Sequence, residues 1–123
     1  TAKFIGIKRE VYATVASMLN HDGILKWYSV LPQDKENDFL GITKENVLHF
    51  SKLPIEAKCA LRWKSHTDRL NLLEKKYPNE VQVINYEDFY DKKLSLIQSI
   101  KTFLNIDFNV QTEELNTDGK ENI

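Results

Sequence analysis

Hydrophobic positions in this chain change period several times, and each change marks an element boundary. Lys3-Phe4-Ile5-Gly6-Ile7-Lys8 is a short apolar run with basic ends and one Gly, the pattern of a buried strand. From Glu10 the spacing becomes helical, with Val11, Val15, Met18 and Leu19 on one face. His21 to Gly41 holds Gly23, Pro32, Gly41 and the charged stretch Asp34-Lys35-Glu36-Asn37-Asp38, which reads as a long irregular connection. Thr43 offers an N-cap to a short helix carrying Val47, Leu48 and Phe50. Pro54 suits the first turn of a longer helix, with Ile55, Ala57, Leu61, Leu70 and Leu73 at apolar positions and Pro78-Asn79 ending it beyond Tyr77. Val81-Gln82-Val83-Ile84-Asn85-Tyr86 is the second strand, rich in β-branched residues. Asp91 is placed to cap a last helix with Leu94, Ile97, Ile100, Phe103 and Leu104 on one side. After Phe108 the pattern fades, and the acidic segment from Gln111 to Ile123 reads as an extended or disordered tail.

Strands separated by helical crossovers predict an α/β chain with a parallel sheet, helix-rich, with right-handed connections. Two strands do not make a stable sheet alone. The expectation is therefore that further strands come from an N-terminal segment or from another chain. The chain opens directly on its first strand with no Met before it, which carries the same expectation of a longer parent. With 123 residues and 41% hydrophobic content, the chain suits one globular domain. A net charge of −1 gives no basic field for nucleic acid or an anionic membrane. No apolar run approaches the roughly 20 residues of a membrane span, and no signal-peptide pattern is seen. The single Cys59 excludes an intrachain disulfide. It fits a reducing compartment or a disulfide-free lumenal domain, with the cytoplasm favoured.

Candidate chemistry centres on Arg9 and Ser17, eight positions apart. Arg9 falls at the carboxyl end of the first strand and Ser17 about two turns into the helix behind it. Ligands of open α/β sheets collect outside the carboxyl ends of the strands. Arg there presents a planar fork of donors to a phosphate, and Ser adds a neutral donor. Taken alone, the pair is read more simply as a surface ion pair and a solvated Ser. The four Gly, at 6, 23, 41 and 119, form neither a Walker A loop nor a GxGxxG loop. His21, His49 and His66 have no metal-ligand spacing with Cys59. His21 is a candidate base, more simply a solvated loop residue; Cys59 reads as core. Trp63 reads as a packing anchor, and Trp27, in the long connection, as an anchor that a substrate also reaches. Glu87 and Asp88 are a candidate acid-base pair, more simply a strand-ending turn.

Two separated segments resemble the carboxyl-terminal half of sulfotransferases that use 3′-phosphoadenosine 5′-phosphosulfate (PAPS). The first, Lys3 to Ser17, is similar to the family's strand-Arg-helix-Ser element, including the spacing of eight. The second, Val83-Ile84-Asn85-Tyr86-Glu87-Asp88-Phe89 with a helix closing on Phe103-Leu104-Asn105-Ile106, is similar to the family's late strand, Tyr-Glu-Asp turn and final helix. The intervening Ala60-Leu61-Arg62-Trp63 segment fits the family order. The resemblance implies part of a P-loop-like parallel sheet over residues 1–109, with residues 110–123 a polar tail. It implies PAPS as co-substrate, with Arg9 and Ser17 holding the 3′-phosphate and Tyr86 on the adenine side. The acceptor would be a carbohydrate, a peptide or a small alcohol, reached by the Asp22 to Ile42 connection. Glu10-Val11 stands where the family has an acid or amide followed by Pro, so a preset helix start is lost. The phosphosulfate loop and the catalytic base would lie before Thr1, and Asp118-Gly119-Lys120 is a thin counterpart of a late Gly-rich nucleotide loop. Two other readings stay open: a non-catalytic nucleotide-binding or protein-interaction module, and another phosphate-handling α/β transferase.

Overall fold

The computed structural model describes residues 2–106; the tail from Gln111, and Asp118-Gly119-Lys120 within it, lie outside them. The protein is mixed α/β and helix-rich, with a small parallel sheet. It divides into two compact units. One comprises Arg9–Leu72; the other is built, among the described residues, from 2–8 and 73–106.

The Arg9–Leu72 unit begins with α1 (Val11–Leu19) and α2 (Asp22–Val30). The Glu10 carboxylate starts α1, accepting from Tyr12 N–H at 2.5 Å and Ala13 N–H at 3.0 Å. A side chain thus does what the missing Pro would have done through its fixed φ. Helix α2 corrects the expectation of an irregular His21–Gly41 connection. The His21 ring caps it, Nδ1 accepting from Ile24 N–H at 3.1 Å, and Ile24, Trp27, Tyr28 and Leu31 carry its apolar face to the core. Gly23 sits in the first turn, where a helix tolerates it, so its turn signal misleads.

The irregular part is shorter and tightly built. Asn37 and Ile42 exchange backbone hydrogen bonds at 2.9 Å each way. Asn37 Oδ1 accepts from Leu40 N–H, and Asn46 bonds both Thr43 N–H and Gly41 C=O. With its polar backbone satisfied locally, the loop inserts Leu40 and Ile42 fully into the core. Gly41 between them has φ +80°, and a Cβ there would lie 2.5 Å from the Leu61 carbonyl. Only Gly permits that approach. The helix expected behind Thr43 is instead a run of turns ending in a short 3₁₀ helix, Phe50–Lys52. Helix α3 (Ile55–Lys76) follows Pro54. Met18, Tyr28, Leu40, Ile42, Phe50 and Cys59 form one buried cluster in this unit.

In the second unit, β1 (Phe4–Lys8) pairs in parallel with β2 (Val81–Asn85), Gly6 opposite Val83. Phe4 N–H donating to Glu80 C=O, and Tyr86 N–H to Lys8 C=O, extend the ladder at both ends. Glu74, near the end of α3, accepts from Val83 N–H at 2.5 Å, and Tyr77 C=O accepts from Val81 N–H at 2.9 Å. These two cover β2 N–H groups that β1 does not use. Helices α4 (Asp88–Asp91) and α5 (Lys93–Leu104) complete the unit. Asp91 ends α4 rather than capping α5, whose N-cap position is Lys92 without a side-chain bond. Asn105 closes α5 in the left-handed region, φ 55°, a conformation Asn tolerates well. Ile84 and Leu96 are buried here, and Lys3 Nζ donates to Phe103 C=O at 2.6 Å.

Candidate functional site

Arg9 follows β1 directly and is half-buried. Its backbone is pinned from α3: Trp63 Nε1–H donates to Arg9 C=O at 2.7 Å. Trp63 is therefore more than a packing anchor, because it sets where the Arg9 side chain starts. An indole has one donor, and its single bond is made here to a residue 54 positions away. Sequence spacing carries no signal for such a pairing.

Ser17 lies on the exposed side of α1, beside exposed Ala16. Its carbonyl accepts from Asn20 N–H at 3.2 Å, and Asn20 Nδ2 donates to Ala16 C=O at 3.1 Å, so the helix end near Ser17 is closed by Asn20. Arg9 and Ser17 belong to the Arg9–Leu72 unit and Tyr86 to the other. Tyr86 is the first residue after β2, held by its bond to Lys8, with its ring 5.9 Å from Tyr90 and 6.2 Å from Phe89.

Glu10 alters the electrostatics next to Arg9. Its carboxylate occupies the first N–H groups of α1, so an anion at this strand end would rely on side chains rather than on the helix N-terminus. The remaining candidates have structural positions. His21 caps α2. Glu87 stands at the N-cap position of α4 with no side-chain cap bond. Cys59 is fully buried, and burial pushes its thiol upward, as it does the Tyr28 phenol beside it. Trp27 lies in α2, edge-on to Phe39 at 4.7 Å. Among the described residues, no group of three or more His, Cys, Asp or Glu is placed to hold a metal ion, and no helix is long and apolar enough to cross a membrane.

No family model matches the chain, and neither a curated protein nor a solved structure matches it.

Proposed function

We propose that this chain is the carboxyl-terminal half of a PAPS-dependent sulfotransferase, supplying the 3′-phosphate and adenine side of the nucleotide site. The observation that supports it is Arg9 set directly behind a parallel strand, with Ser17 on the following helix. In this reading Arg9 binds the 3′-phosphate through charge-assisted bonds and Ser17 adds a hydroxyl donor. Tyr86 contacts the adenine side. These residues hold and orient the leaving nucleotide while a sulfuryl group passes in line to a hydroxyl or amine. A base takes the acceptor proton, and cations or N–H donors stabilise the transferring charge; in this reading both come from the other half of such a domain. Phe4 and Ile7, 61% and 56% exposed on opposite faces of β1, support cover for both faces of a P-loop-like sheet by elements from an N-terminal segment or another chain, because parallel sheets are covered on both faces.

One observation favours a second reading, a non-catalytic nucleotide-binding or interaction module. The Glu10 carboxylate stands at the helix start next to Arg9, and its charge opposes a phosphate dianion there.

Calorimetric titration with 3′-phosphoadenosine 5′-phosphate and with adenosine 5′-phosphate, on this chain and on a longer parent, separates the readings. Selective binding of the 3′-phosphorylated nucleotide is expected. Arg9→Ala should remove on the order of 1.5–3 kcal/mol from that nucleotide and spare the other. Equal weakening of both would remove Arg9 from the role. No preference in folded protein would favour the module.

A further inference from the structure

Among the described residues, Arg62 of α3 makes no ion pair. Its guanidinium carbon lies 5.1 Å from the Trp27 ring centroid and 4.9 Å from that of Phe39, in the corner where those rings meet edge-on. Its Nε is buried with no hydrogen-bond partner. Among the described residues no carboxylate pairs with it: Asp38, next to Phe39, pairs with Arg69 at 3.7 Å, and Asp68 pairs with Lys64 at 2.6 Å. Aromatic faces attract the cation, but they leave its planar fork of N–H donors unused.

We infer that the Arg62 guanidinium, framed by Trp27 and Phe39, is a binding site for the carboxylate of a small organic acid. A carboxylate matches one guanidinium in charge and in planar, two-point geometry. A phosphate dianion calls for more, and the basic neighbours on the same helix, Lys64 and Arg69, are already paired. Phe39, 43% exposed, offers apolar surface against which the body of such a ligand lies. The His66 ring, with Nε2 at 3.2 Å from Phe39 C=O, fixes that aromatic residue from the next turn of the helix. All of these side chains belong to the Arg9–Leu72 unit. The site is independent of the nucleotide reading.

The test is an NMR titration of the whole chain without nucleotide, following the Arg62 Nε–H and Trp27 indole N–H signals. Sodium glucuronate, glucose and inorganic phosphate are compared at equal ionic strength. Saturable shifts of both signals are expected with glucuronate, none with glucose, and about tenfold weaker binding with phosphate. Arg62→Gln should abolish the glucuronate response, and Arg62→Lys, which keeps charge and loses the fork, should weaken it about tenfold. The inference is overturned by no response to glucuronate, by equal response to phosphate, or by a response that survives in Arg62→Gln. Should that variant not fold, the wild-type comparison and Arg62→Lys decide. Loss of this response with 3′-phosphonucleotide binding intact would sink this site alone.

Discussion

The bond from the Trp63 indole to the Arg9 carbonyl ties a side chain of α3 to the backbone of the principal binding candidate. Trp63→Phe keeps most of the ring and removes the donor. We expect a stability loss of about 0.5–1.5 kcal/mol, the net worth of one hydrogen bond. On the proposed function, weaker binding of 3′-phosphorylated nucleotide should accompany it, with adenosine 5′-phosphate unchanged. A purely structural Trp63 would show the first effect without the second. Gly41 makes a sharper case. Its positive φ, and the Leu61 carbonyl only 2.5 Å from where a Cβ would stand, leave no room for Ala. Gly41→Ala should cost about 1–3 kcal/mol in denaturant unfolding, and a variant as stable as wild type would contradict the described loop.

At the scale of elements, much was legible. Both strands appear where the apolar runs put them, β1 at Phe4–Lys8 and β2 at Val81–Asn85, and α3 spans Ile55–Lys76 as its long periodic segment implied. The departures share a cause: punctuating residues take their meaning from tertiary context. Gly23 and the charged Asp34–Asp38 stretch hid α2, although His21, Ile24, Trp27 and Tyr28 already carried its cap and its period. Thr43 resembled a cap, yet Asn46 Oδ1 takes its N–H. Of the candidate site, the position of Arg9 behind a strand and Ser17 on a helix was legible. The Trp63 pin and the Arg62 corner were not, because both join residues far apart in sequence. Glu74 yields a prediction at this scale. Glu74→Ala should leave Val83 N–H without its acceptor, costing about 1–3 kcal/mol. It should also uncover strand edge that promotes self-association, read by sedimentation at rising concentration. Unchanged stability and a monomer at all concentrations would count against that role.

At the scale of the molecule, acid-base behaviour follows from what the core hides. Burial raises the Cys59 thiol above its ordinary value near 9.0, and burial likewise raises the Tyr28 phenol above 10.0. An acid raised in the folded state keeps its proton where the unfolded chain has lost it. The stability this contributes is whole below the unfolded value and falls as pH rises toward the folded one. Unfolding free energy should therefore decline above about pH 9, by at most about 1.4 kcal/mol per pH unit for Cys59, and Cys59→Ala should flatten the slope between pH 8 and 10. The parallel sheet has a different consequence, in time rather than energy. Phe4 meets Val81 only after about 77 residues of chain have been drawn into a closed loop, a large entropic demand. During synthesis β1 emerges about 77 residues ahead of its partner β2 and must wait for it. Of these two strands it is made first, yet it finds its partner only once the second is complete.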